Sequence, residues 1–126
     1  MTRALERLSR LRQSLARLRD EANHLLRVFL GREPLARGTV YELRRKCGKP
    51  SCCCATEGRL HAVTVLSVSE DGRTRLRALP PDQIAALRVL TARYQRVRRA
   101  RARLVKVHRQ MVAVIDQLEG ARRKER

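Results

Sequence analysis

The sequence predicts an α+β fold that is mainly α: a long antiparallel helical hairpin with a small three-stranded antiparallel β insert, bearing cysteines, at its tip. Three observations carry that prediction. Apolar residues recur every three or four positions in a stretch at each end of the 126-residue chain, they alternate with other residues in the middle, and only Phe29, Tyr41 and Tyr94 are aromatic. A core so poor in rings must be made of Leu, Val, Ile and Ala, as seams between helices are. The length suits one domain, residues 1–126.

Residues 3–30 read as the first helix. Leu5, Leu8, Leu11, Leu15, Leu18, Ala22, Leu25 and Phe29 follow one another at steps of three or four, which is a seam of the coiled-coil type. Thr2 suits the N-cap, and Gly31 with Pro34 stops the helix. At about 1.5 Å per residue the element is roughly 40 Å long, too long to be buried by anything but another long element.

Residues 38–79 read as the insert. Thr39 to Leu43 alternates as a half-buried strand does, and Ala62 to Ser69 is a second run rich in Val and Thr. Asp71-Gly72 is a hairpin-turn signal. The third strand, Arg73 to Leu79, has Arg73, Arg75 and Arg77 on one face and Thr74, Leu76 and Ala78 on the other.

Residues 82–119, after Pro80-Pro81, read as the second helix, with Leu87, Leu90, Tyr94, Val97, Leu104, Val107, Met111, Val114 and Leu118 on its stripe. The same spacing puts Arg101 in the seam. A buried, unpaired guanidinium is costly, so the helix is expected to bend, shift register or leave its partner there. Gly120 ends the pattern, and residues 120–126 are expected to form a charged tail. Neither stripe can be buried alone, so the two helices should pack antiparallel. The apolar surface left over predicts self-association or a helical protein partner.

Near the N-terminus Arg3, Glu6, Arg7, Arg10 and Arg12 interrupt every apolar run, which speaks against a signal peptide. No stretch approaches the roughly 20 apolar residues of a membrane span. A cytoplasmic or nucleoid-associated setting is therefore expected, and in such a reducing setting cysteines bind metal more readily than they form disulfides. The chemically distinctive stretch is Cys47-Gly48-Lys49-Pro50-Ser51-Cys52-Cys53-Cys54. Gly48 and Pro50 make a turn that can bring Cys47, Cys52 and Cys54 to one point, and His61 opens the next strand as a fourth ligand. The set predicts a closed Cys3His site for a structural Zn2+, so the insert is expected to be zinc-knuckle-like. Arg44, Arg45, Lys46 and Lys49 favour the thiolate form such a site needs. The spacing is not a double C-x2-C arrangement, and a cluster of half-buried cysteines without metal is the plainer alternative. Cys53, flanked on both sides, is the expected spare.

At these residues the chain resembles a family of small prokaryotic proteins of unknown function. Its members show a helix, a strand, C-G-K-P-x-C-x-C-A, a glycine and a histidine, a D-G hairpin and a Pro-led long helix. The matching residues are Cys47, Gly48, Lys49, Pro50, Cys52, Cys54, Ala55, Gly58, His61, Asp71, Gly72, Thr74, Arg75 and Pro80, so the resemblance covers roughly residues 38–100. Members usually carry a basic residue where Cys53 stands, which agrees with Cys53 as the non-ligand. They often have H-G-P and aromatics where this chain has His61-Ala62-Val63-Thr64. The resemblance implies fold and site, and no activity.

Thirty Lys and Arg against twelve Asp and Glu give a net charge of +18, carried mostly by Arg. The guanidinium fork matches phosphate geometry, so the charge predicts a polyanion, nucleic acid first. The expected contacts are Arg44, Arg45, Lys46, Lys49, Arg73, Arg75, Arg77, Arg96, Arg98, Arg99, Arg101, Arg103, Lys106 and Arg109. Scarce aromatics argue against base stacking and leave phosphates as the target. Acidic residues are scattered, no Ser-His-acid set or glycine-rich phosphate loop is present, and His24 and His108 stand alone on helices. The expectation is thus a non-enzymatic, zinc-stabilised accessory protein with no small-molecule substrate and no membrane contact. It would bind DNA or RNA through phosphates within a larger nucleoprotein or mobile-element complex. The alternative is an interaction or dimerisation subunit that docks an acidic protein partner.

Overall fold

The structure, a computed structural model, describes residues 2–46 and 48–124. Its elements run α1 (Arg3–Phe29), β1 (Thr39–Arg45), α2 (Cys53–Thr56), β2 (His61–Glu70), β3 (Arg73–Ala78) and α3 (Pro81–Arg122). Two long helices and a three-stranded antiparallel sheet make the fold α+β and mainly α, as the sequence predicts. The chain divides into two compact units, one of Met1–Arg32 with Arg96–Arg126 and one of Glu33–Gln95.

In the helical unit, α1 starts at Thr2, whose Oγ1 accepts the Leu5 N–H at 3.3 Å and so satisfies one orphan donor of the first turn. The expected seam is present. Leu8, Leu11, Leu15, Leu18, Leu25 and Phe29 are half-buried, Ala22 is buried, and Leu5 stays 54% exposed. The later part of α3 packs against it antiparallel. Glu21 meets Arg103, Ser14 and Leu18 line a groove with Gln110 and Val114, and Leu8 and Arg12 line another with Leu118 and Arg122. Val107 is fully buried at the centre of this packing.

Two expectations on α3 change. Arg101 is exposed, and the buried Ala100 takes its place in the stripe, which runs Val97, Ala100, Leu104, Val107, Met111, Val114, Leu118. A step of three replaces a step of four, so the helix keeps its guanidinium in water by shifting register. The helix also runs through Gly120 to Arg122 instead of ending at residue 119. Gly120 is not in the left-handed conformation that caps a helix, and the Arg123 N–H still reaches the Glu119 carbonyl at 3.1 Å. A helical glycine costs only about 1 kcal/mol, which does not end a helix already paid for by packing.

In the other unit the sheet order is β1-β2-β3, with β2 central. Tyr41 lies opposite Val65 and Arg45 opposite His61, while Leu66 lies opposite Arg77 and Glu70 opposite Arg73. Asp71 and Gly72 both have positive φ, 50° and 76°, the geometry of a type I′ turn matched to the strand twist. Val65, Leu66 and Leu79 form the buried core. Every residue of the edge strand β3 is exposed, Leu76 at 48%, so neither of its faces is covered.

The first part of α3 is tied to the start of β1. The Ala36 N–H donates to the Leu90 carbonyl at 3.2 Å, and Gln95 Nε2 donates to the Gly38 carbonyl at 3.1 Å. Thr91 is buried there, and its hydroxyl is satisfied by the Leu87 carbonyl at 2.8 Å. Gly38 is obligatory at this junction. Its φ is 116°, and a Cβ would stand 2.6 Å from the Ser67 carbonyl oxygen of β2.

Candidate functional site: a Cys/His cluster and its basic surround

The loop from β1 to β2 builds the cluster by local hydrogen bonding. The Cys52 N–H donates to the Lys49 carbonyl at 3.1 Å, and the Ala55 N–H donates to the Cys52 carbonyl at 3.0 Å, so the turn leads directly into the single-turn helix α2. That helix carries Cys54 inward to full burial, beside the half-buried Cys52, while His61 enters from the first position of β2. Cys52 Sγ and His61 Nε2 are 2.9 Å apart, and the ligand atoms of Cys52, Cys54 and His61 all lie within 4.8 Å of one another.

Those separations fit a metal ion. Zinc at about 2.3 Å from sulfur and about 2.0 Å from nitrogen places tetrahedral donors roughly 3.6–3.8 Å apart, so the sulfur–imidazole pair need open by well under 1 Å. Three converging donors of this softness can hold a metal ion; they offer three corners of a tetrahedron. Of the expected ligands, Cys52, Cys54 and His61 are brought together, and Cys47 lies outside the described residues, as does the side chain of Cys53, the expected spare. The sequence reading did not foresee α2, because four residues carry no periodicity; it is this helical turn that buries Cys54.

All the expected phosphate contacts are exposed. Arg44 pairs with Glu42 at 3.1 Å, Arg75 with Glu70 at 3.2 Å, and Arg103 with Glu21 at 2.5 Å. Among the described residues, no acidic group lies within 4.0 Å of Arg45, Lys46, Lys49, Arg73, Arg77, Arg96, Arg98, Arg99, Arg101, Lys106 or Arg109. The hydrogen bond from Arg103 holds the Glu21 carboxyl below its ordinary range, and Glu21 in turn raises the Arg103 pKa. The first two pairs join near neighbours in the chain. Glu21 and Arg103 are 82 residues apart, and nothing in the sequence signals their meeting.

Fold and cluster together define a small helix–sheet protein whose β1–β2 loop presents a Cys/His set able to hold a metal. The chain belongs to the family described as a domain of unknown function, DUF6788, whose model matches residues 1–89. That match takes in α1, the whole sheet, the cluster and the beginning of α3, so it starts earlier than the region of resemblance seen in the motifs. No curated protein and no solved structure matches the chain. Among the described residues, no helix is long and apolar enough to cross a membrane.

Proposed function

We propose that the protein is a non-enzymatic nucleic-acid-binding accessory protein, stabilised by zinc, that engages the phosphodiester backbone mainly through α3. The observation that carries this reading is the run Arg96, Arg98, Arg99, Arg101, Lys106 and Arg109, exposed and without acidic neighbours among the described residues. A charge run is most often a solvated face balanced by ion pairs at helical spacing. Here, among the described residues, no acidic group pairs with any of these six cations, and such a concentration of positive charge is relieved by a polyanion. Zinc is the ion best suited to two thiolates and an imidazole held close together, and with Cys47 as the fourth ligand the site would be closed and structural.

Protein partners are a second reading, supported by the exposed Val105 and Val112 of α3 and by Ile115, which lines an open groove with Leu15 of α1. Fluorescence anisotropy with a random-sequence duplex distinguishes the two. Phosphate binding predicts a log Kd that rises with log salt at a slope of about 4–6, from six released counterions at roughly 0.9 each. A flat salt response, or no binding at low salt, refutes it. For the metal, one zinc per chain is expected, lost in Cys54→Ser and in His61→Ala and retained in Cys53→Ser, as read by elemental analysis.

A further inference from the structure

The cluster and a second group of cations share one framework. Arg45 is the last residue of β1 and lies directly opposite His61, the first residue of β2. Lys49 supplies the carbonyl that accepts the Cys52 N–H at 3.1 Å. Lys46 follows Arg45 in the chain and leads into the same loop. All three cations are exposed and have no acidic neighbour within 4.0 Å among the described residues, whereas Arg44 and Arg59 nearby are paired with Glu42 and Glu57. So two of the three candidate metal ligands are each one backbone pairing away from an unpaired cation.

We infer that metal occupancy of the Cys52–Cys54–His61 cluster organises Arg45, Lys46 and Lys49 into a phosphate-binding patch, so that zinc and nucleic acid bind cooperatively. This rests on the nucleic-acid reading above and adds its regulation. A metal held by Cys52, Cys54 and His61 cross-links the β1–β2 connection to the first residue of β2, and a connection tied at more points has less conformational freedom to lose when it binds phosphates. The coupling is one of order and not of charge. Zn2+ with two thiolates and a neutral imidazole is electrically neutral, and with Cys47 as the expected third thiolate the site would carry −1, so loading adds no positive charge to the patch. Coupling of this kind is reciprocal: nucleic acid must tighten zinc by the same factor that zinc tightens nucleic acid.

The experiment measures the affinity of the full chain for random-sequence DNA and RNA duplexes across a salt series, zinc-loaded and after EDTA, with circular dichroism confirming that both forms keep their helices. The triple variant Arg45→Ala, Lys46→Ala, Lys49→Ala is run alongside. Zinc removal is expected to weaken binding about tenfold and to lower the salt slope by about 2–3, as the loss of three phosphate contacts requires. In the triple variant the loaded form is expected to show that same loss, and EDTA to add nothing. Equal affinity and slope for loaded and zinc-free wild type overturn the coupling while leaving phosphate binding by α3 in place. A triple variant that still responds to EDTA also overturns it, because the effect would then come from elsewhere. Absence of binding in every form overturns the nucleic-acid reading and the coupling together.

Discussion

At the junction between the loop and β1, Gly38 shows how one residue can be fixed by backbone proximity alone. A methyl group there meets the Ser67 carbonyl at 2.6 Å and the side chains of Leu66 and Val68 at 3.0 Å, in a backbone conformation side chains rarely adopt. Gly38→Ala is expected to cost about 2–3 kcal/mol, the strain of a forced φ plus a displaced strand, read as a lower urea midpoint at unchanged slope. Glu21 makes a different residue-level prediction. Its folded pKa lies below the unfolded one because Arg103 hydrogen-bonds the carboxylate, so its contribution is present above the ordinary glutamate pKa and is lost as pH falls through the lowered folded value. Both groups are partly exposed, so the effect is small. Thermal melts of wild type and Glu21→Gln should differ near neutral pH and converge in acid. A difference that persists at the lowest pH would assign the effect to packing. The Cys/His motif was readable at this scale because ligand type and spacing are written in the chain. The pairing of Glu21 with Arg103 was not, since it depends on the register of two distant helices.

Among the elements, α1 was legible almost to the residue: Thr2 caps it, and its seam is the predicted one with Leu5 left largely outside. The same periodicity applied to α3 pointed to Arg101, and the structure uses Ala100. Periodicity fixes a stripe only to within one step of three or four; desolvating a guanidinium costs more than a local change of step, so the helix chooses the small residue. Ala100→Leu should therefore cost about 1–3 kcal/mol by overfilling the seam, and Arg101→Leu on the exposed side should lie within about 0.5 kcal/mol of wild type. Chemical denaturation of the two variants checks the register, and the reverse order of stabilities would restore Arg101 to the seam. In the sheet, the strands and the Asp71-Gly72 turn were readable from alternation and turn chemistry. The exposure of both faces of β3 was not, because alternation shows which residues share a face and not whether anything covers it.

For the whole molecule, charge dominates. With +18 on 126 residues, self-repulsion opposes compaction, and screening shortens its reach from about 10 Å at 0.1 M salt to about 3 Å at 1 M. The melting temperature is expected to rise with sodium chloride over that range, and to rise further with a stoichiometric polyanion such as heparin. A Tm that falls with salt would mean that favourable ion pairs outweigh repulsion. Few such pairs are present among the described residues, and all involve partly or largely exposed side chains.

Composition, periodicity and spacing by themselves determined the α+β class, the order of the two long helices and three strands, the hairpin turn and the residue types of a cluster able to hold a metal. Each is a property of near neighbours in the chain: a side-chain period, a capping residue, a turn dipeptide, a ligand spacing. Only the tertiary structure decided that Ala100 replaces Arg101 in the seam, that Arg103 is engaged by Glu21, and that Cys54 is buried while His61 meets Cys52 at 2.9 Å. Those outcomes depend on desolvation and on packing between residues far apart in sequence, and these act only once the elements have been brought together.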